Sequence, residues 1–360
     1  MTSSRTPLHR IVHAIEQVWD GIRRRARRPP RELTIITYLA HGSTEEVVVR
    51  GRVLAGRPVA AATEHERLGP RVKRMASRFM TSELPGVCLM IRLGGDSVEV
   101  VTDEEGYFVG ELSHLSLAPE PRRRSLTVEV RGSWAHLRVH AGEPEAVIVA
   151  PDAERLLISD IDDTVLLTNA TNRFRTVLTT LTGSAWTRSG FDGAAELYRG
   201  LVASPTDDEL PCCYVSSSPW NLYDFLVAFL DRAGLPSGPI FLRDYGIDED
   251  RFITGDHHDH KSAAIDELLR VHAAPVVLSG DTGEHDPEIF RDVIRRHGDR
   301  VAGVLLREVG AAARSDEVRA MFDGLPTPLC LGADSAELAI AAEDVGLVPP
   351  GWAERVSRAR

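Results

Sequence analysis

Three short apolar runs in this chain of 360 residues each stop at a polar cluster. Leu156-Leu157-Ile158 ends in Ser159-Asp160-Ile161-Asp162-Asp163-Thr164, and Cys213-Tyr214-Val215 ends in Ser216-Ser217-Ser218-Pro219. Pro275-Val276-Val277-Leu278 runs into Ser279-Gly280-Asp281-Thr282-Gly283-Glu284-His285-Asp286-Pro287-Glu288. Unbroken apolar runs of this length suit strands buried on both faces of a parallel sheet. Open α/β sheets bind their ligands beyond the carboxyl ends of such strands, so chemistry is expected where these runs end.

The residue types at those ends suggest a division of labour. Asp160, at a strand tip, can face a substrate as nucleophile, and Asp162, on the loop beyond, can return over the site as acid and base. The plainer alternative is an acidic turn capping a helix, because Asp and Thr favour caps. Ser216 stands at the second tip, beside a helix expected to begin near Pro219, where a hydroxyl can hold a phosphate oxygen or merely cap the helix. Lys261 opens an amphipathic stretch from Ala264 to Val271, and its ammonium can neutralise both a carboxylate and an incoming phosphoryl group. The preceding His257-His258-Asp259-His260 does not place several His on one helical face, so it reads as a solvated loop rather than a zinc site. At the third tip Gly280 allows a tight turn, while Asp281 and Asp286 offer the hard oxygens that Mg²⁺ prefers, with Glu284 a candidate extra ligand.

Composition removes several classes. Net charge is -11 with 26% charged and 43% hydrophobic residues, which describes a globular chain and excludes a general nucleic-acid binder. No apolar run reaches the ~20 residues of a spanning helix. Arg10, His13 and Glu16 interrupt any apolar leader, so export is not expected and the expected location is the cytoplasm. Cys88, Cys212, Cys213 and Cys330 form no framework, and they read as reduced thiols. Of 42 basic residues only Lys73 and Lys261 are lysine, a skew that looks bacterial and singles out each surviving Lys as a place where Arg would not serve.

Upstream the pattern changes twice. Residues 1–31 carry net charge +6, leaving -17 on the rest, and Leu8, Ile11, Val12, Ile15, Val18, Trp19 and Ile22 recur at helical spacing before Pro29-Pro30. This basic amphipathic helix can dock on the protein's own core, or lie peripherally on the inner membrane face. Residues 32–150 alternate in short strands with turns such as Gly94-Gly95-Asp96, predicting an antiparallel β-sandwich with a polar helical insertion over roughly 60–82. The stretch Val101-Thr102-Asp103-Glu104-Glu105-Gly106-Tyr107-Phe108 resembles a turn of carboxypeptidase-regulatory or transthyretin-like sandwiches. Residues 331–360 read as a helical tail following a domain at 151–330.

Taken in order, Asp160-x-Asp162-x-Thr164, Ser216, Lys261 and Gly280-Asp281-x-x-x-x-Asp286 resemble the four-motif signature of the haloacid dehalogenase superfamily. The runs Val215 to Trp220, Leu242-Arg243-Asp244, His260-Lys261, Gly280 to Ile289 and the helix Gly193 to Tyr198 are similar to the catalytic domain of the actin-patch-associated phosphatidate phosphatases. The resemblance spans about 155–310. It implies a three-layer α/β/α Rossmann-like domain and a Mg²⁺-dependent phosphomonoester hydrolase working through an aspartyl-phosphate, with phosphatidate as the leading substrate. It further implies Asp160 as nucleophile, Asp162 as acid and base, and Asp160, Asp162 (through its carbonyl), Asp281 and Asp286 around the metal. Thr164, Ser216 and Lys261 would bind substrate phosphate; Arg243 is a candidate substrate contact or a structural ion pair. The roughly fifty residues between Asp160 and Ser216 leave room for a flap carrying Arg173, Arg175 and Arg188, not for a large cap. A soluble phosphomonoester, or a catalytically idle lipid- or protein-binding module, are the competing readings.

Overall fold

The computed structural model describes residues 30–57, 83–120, 122–161, 193–202, 212–243, 257–310 and 312–359. The expected basic helix over 1–31 (apart from residues 30 and 31), the insertion near 60–82, the flap arginines, Asp162 and Thr164 lie outside the described residues.

The described residues of the N-terminal part form ten strands. They are β1 (Glu32–Thr37), β2 (Ala40–Ser43), β3 (Glu46–Ala55), β4 (Cys88–Leu93), β5 (Asp96–Val101), β6 (Tyr107–Ser113), β7 (Arg123–Ser125), β8 (Thr127–Val130), β9 (Arg138–Ala141) and β10 (Glu145–Val149). One sheet runs β7-β10-β2-β3-β1-β9 with β6 also on β3, and a three-stranded sheet runs β5-β4-β8. Leu33, Ile35, Val47, Val49 and Phe108 of the first share one core with Leu89, Ile91 and Val128 of the second. β6 alternates buried and outward residues along its length, as a strand with one wet face must. The expectation of a purely antiparallel arrangement needs correction. β1 pairs with β9 and β2 with β10 in parallel, because β9 is reached from β8 of the other sheet and β10 then crosses to the opposite side of this one, so neither joins its partner through a hairpin.

The second part contains β11 (Leu156–Asp160), α1 (Ala194–Val202), β12 (Cys212–Pro219), α2 (Tyr223–Arg232), β13 (Ile240–Arg243), α3 (His257–Val271), β14 (Val276–Asp281), α4 (Asp286–His297), β15 (Val301–Arg307), α5 (Ala312–Phe322), β16 (Leu329–Gly332), α6 (Ser335–Asp344) and α7 (Trp352–Arg358). Six strands order as β13-β12-β11-β14-β15-β16, every neighbouring pair parallel. Every residue of β11 and β14 is buried, which explains why these strands read as unbroken apolar runs. Alternate residues serve opposite faces. Leu157, Tyr214, Val277 and Leu305 pack with α1, α2, α6 and α7, whereas Ile158, Val215, Leu278 and Val304 pack with α3, α4 and α5. The final helices are thus part of one covering layer, with Leu338, Ala339, Ala342 and Val356 in its core. The direction of strand succession reverses between β11 and β14, which opens a crevice at their carboxyl ends.

The two parts touch over a polar and aromatic surface. Tyr38 stacks on Trp220 with ring centroids 4.2 Å apart and planes at 16°, and the Leu39 amide donates to the Tyr223 hydroxyl at 2.8 Å. His41, on β2, lies 3.1 Å from His272 and 3.1 Å from Glu267 of α3, and Arg50 of β3 pairs with the same Glu267.

Candidate functional site

The crevice at the reversal point is built from chain segments far apart in sequence. β11 delivers Asp160, β14 delivers Asp281, the first turn of α4 delivers Asp286, and α3 delivers Lys261. All four are buried. One oxygen from each of Asp160, Asp281 and Asp286 lies within 4.8 Å of the others. Lys261 Nζ sits 2.8 Å from Asp160 Oδ1, 2.7 Å from Asp286 Oδ1 and 3.6 Å from Glu284 Oε2. Burial alone would lower the Lys261 pKa, but Asp160, Asp286 and Glu284 outweigh it and hold the ammonium well above its usual value. The lysine is therefore charged throughout the physiological range.

The loop after β14 is held by its own backbone. Asp281 Oδ1 accepts from the amides of Gly283 at 2.6 Å and Glu284 at 3.1 Å, while the Asp281 amide donates to Asp286 Oδ2 at 3.2 Å. Thr282 fastens the outer side through Val309, its hydroxyl donating to the carbonyl at 3.2 Å and accepting from the amide at 2.9 Å. Gly280 does not perform the tight turn expected of it, since it lies inside β14. Its missing side chain matters instead because a Cβ there would stand 2.3 Å from Asp286 Oδ2. Close approach of Asp286 to the strand thus requires glycine.

The donor set fits a divalent cation. Among the described residues Asp160, Glu284 and Asp286 converge on the ammonium of Lys261, and Asp281 completes the three-aspartate group. Asp281 Oδ2 is buried and has no hydrogen-bond partner among the described residues. Burial first, and then Asp286, push the Asp281 pKa up to about 7. A hard cation relieves both strains, and such all-oxygen sets suit Mg²⁺ or its close relatives. Glu284 faces Lys261 and stands outside the three-aspartate group.

Ser216 occupies the neighbouring tip. It is fully buried, and its hydroxyl accepts from the Ser218 amide at 3.0 Å. Arg243, half-buried at the end of the edge strand β13, pairs in register with Pro219 of β12. The expected solvated loop at His257–His260 is instead the start of α3, because the helical pattern extends N-terminally past Lys261. Burial, followed by the charge of Arg243, lowers the His260 pKa to about 4, and His260 bonds the backbone of Ser216. Neutral His260 thereby joins the second strand tip to the lysine-bearing helix. No motif announced that link, nor the role of Glu284 opposite Lys261.

Comparison with known proteins falls on this same part of the chain. Residues 155–308 match the family described as phosphatidate phosphatase APP1, catalytic domain. A protein of Schizosaccharomyces pombe described as uncharacterised is 25% identical over 211 residues, covering 58% of this chain and 34% of its own length. Phosphatidate phosphatase APP1 of Saccharomyces cerevisiae is 28% identical over 155 residues, covering 42% of this chain and 25% of its own. The chain thus spans about a third and a quarter of the length of these two curated relatives. A carbohydrate acetylesterase from Xanthomonas citri aligns over 87% of this chain and 75% of its own at 15% identity, but its TM-score of 0.32 carries no argument.

Proposed function

We propose that the protein is a Mg²⁺-dependent phosphomonoester hydrolase of the haloacid dehalogenase type, with phosphatidate as the leading substrate. The observation that carries this reading is the Asp160–Asp281–Asp286 cluster against Lys261, lying inside the segment that matches a phosphatidate phosphatase catalytic domain. Asp160, Asp281 and Asp286 would hold the cation, with the carbonyl of Asp162 a further ligand implied by the resemblance. When bound, Mg²⁺ would offset the repulsion between carboxylates and phosphate.

The residues then carry the reaction in two steps. An Asp160 carboxylate oxygen attacks phosphorus, forming an aspartyl-phosphate as the bond from phosphorus to the leaving oxygen breaks. Asp162 gives its proton to that alkoxide, then takes a proton from the water that attacks phosphorus and releases Asp160. Lys261 and Ser216 hold phosphate oxygens in place, and Thr164 adds a further contact implied by the resemblance. Arg243, at the end of β13, is a candidate substrate contact or a structural ion pair. Among the described residues no helix is long and apolar enough to cross a membrane.

The test is phosphate release from phosphatidate in mixed micelles, beside a soluble panel of sugar, nucleotide and aryl phosphates, with Mg²⁺ or with EDTA. Turnover that requires both Mg²⁺ and the Asp160 carboxylate is expected, with Asp160→Asn losing at least about 1000-fold, since the nucleophile itself is removed. Preference for a soluble member of the panel removes the lipid assignment. Wild type as inert as Asp160→Asn on every substrate removes the enzyme.

A further inference from the structure

Behind the strand tips, on the face opposite α3 and α4, lies a group of three hydroxyls in an otherwise apolar layer. Tyr198 of α1 is 3% exposed and packs with Leu157, Val277, Leu201 and Leu226. Its hydroxyl stands 2.6 Å from Ser159 Oγ and 3.4 Å from Ser279 Oγ. Ser159 and Ser279 are direct partners across β11 and β14, one residue before Asp160 and two before Asp281. Ser159 Oγ is also 2.8 Å from the Asp160 carbonyl oxygen.

The direction of this chain follows from counting protons. A carbonyl oxygen only accepts, so the single Ser159 proton goes to the Asp160 carbonyl. Tyr198 must then donate to Ser159, and its free lone pair accepts from Ser279. Packing in this layer would be met equally well by phenylalanine. A hydroxyl here is justified only by its hydrogen bonds, because a buried unpaired hydroxyl is destabilising. Those bonds end on the backbone of Asp160 and bridge the two strands that bear the cation-binding carboxylates.

We propose that Tyr198 is a positioning residue for the metal centre: through Ser159 it fixes the backbone of Asp160, and through Ser279 it sets the spacing of Asp160 from Asp281. This rests on the reading of the three aspartates as the Mg²⁺ site. Outer partners of this kind typically change metal affinity 10–100-fold when removed.

The experiment is isothermal titration of the metal-stripped full chain with Mg²⁺ alone, alongside thermal unfolding. Tyr198→Phe is expected to weaken Mg²⁺ binding about 10-fold. Ser159→Ala should weaken it similarly, and Ser279→Ala less, because its link is 3.4 Å long. In phosphatase assays the Mg²⁺ concentration for half-maximal rate should move by the same factor. A double variant of Tyr198 and Ser159 should be little worse than either alone, since one chain is cut twice. Should Tyr198→Phe fail to fold, Ser159→Ala carries the same comparison. Lowered melting temperatures with wild-type Mg²⁺ affinity in both variants reduce the trio to packing and overturn the proposal. Wild-type protein that takes up no Mg²⁺ overturns it together with the cation site, an outcome distinguishable because the unmutated arm already fails.

Discussion

Thr34, Thr102 and Arg52 of the N-terminal sheets are buried, as are Asp160, Asp281 and Asp286 at the tips of the parallel sheet, but the two sets are finished differently. In the N-terminal sheets Thr34 donates to the Gly56 carbonyl at 2.7 Å, and Thr102 donates to Leu84 at 2.7 Å while accepting from Val87 at 2.9 Å. Arg52 donates to the Glu105 carbonyl and to Glu83, both at 3.1 Å. These donors have named protein partners, and each ties a turn or strand end to its neighbour. At the tips of the parallel sheet Asp160, Glu284 and Asp286 converge on Lys261, and Asp281 Oδ2 has no donor among the described residues. Buried polar groups that satisfy one another stabilise a structure, whereas a charge surplus left open leaves work for a ligand.

Removing Lys261 gives the largest expected break in that contrast. Lys261→Met leaves Asp160, Glu284 and Asp286 without their cation, and stripping one partner from a buried ion pair typically destabilises by about 3–5 kcal/mol. Denaturant unfolding in EDTA should show that loss, and added Mg²⁺ should recover more stability in the variant than in wild type. Equal stabilities in EDTA would mean that the site is as self-contained as the N-terminal sheets.

The aromatic contact between the two parts comes next. Tyr38 is buried and stacked on Trp220, which directly follows the Ser216–Pro219 segment. Tyr38→Ala should lower stability by about 3 kcal/mol, the usual scale for deleting a packed aromatic ring. Tyr38→Phe keeps the ring and should stay close to wild type. An Ala variant that unfolds like wild type would show that the N-terminal sheets merely adjoin the site.

How much of this could be read from the chain depends on whether the signal is local. Leu156–Ile158 and Val276–Leu278 announced themselves because strands covered on both faces are apolar throughout, and their polar ends marked the crevice. The hairpin at Gly94-Gly95 was equally legible, since Gly94 adopts φ 60 and glycine alone does so freely. The parallel pairings of β9 and β10 were not, because register between distant strands is set by packing rather than by any local pattern. Lys261 stood out by its rarity, yet its contact with Glu284 needed the loop after β14 to fold back. Tyr198 was visible only as a residue of a helix that resembled a family; nothing in its neighbours foretold a hydroxyl chain to Ser159. His41 and His272 lie 231 positions apart and carried no signal.

That histidine pair supplies the smallest and most specific effect. His41 Nε2 faces Glu267 at 3.1 Å and therefore carries the proton, so His41 Nδ1 must accept from His272 Nε2 at 3.1 Å. Both rings are neutral in this arrangement: a second proton on His41 would set two donors face to face, and one on His272 would go to Nδ1, which is buried with no partner among the described residues. Burial is the main cause lowering both pKa values, with His272 held well below the usual 6.5. The charged groups facing the pair are Glu267, whose pKa is held at about 2, and the guanidinium groups of Arg50, Arg270 and Arg300. As pH falls below about 6.5 the unfolded chain takes up protons that the folded chain refuses. Folded stability is therefore complete above that pH and declines beneath it, by up to about 1.4 kcal/mol per pH unit for each histidine. Melting curves between pH 7.5 and 5.5 should fall more steeply for wild type than for His272→Gln, which cannot titrate. The variant should be the less stable protein at pH 7.5, and the gap should narrow in acid. Parallel pH profiles for the two proteins would show that the joint between the parts is insensitive to protonation, as finished internally as Thr34 and Thr102.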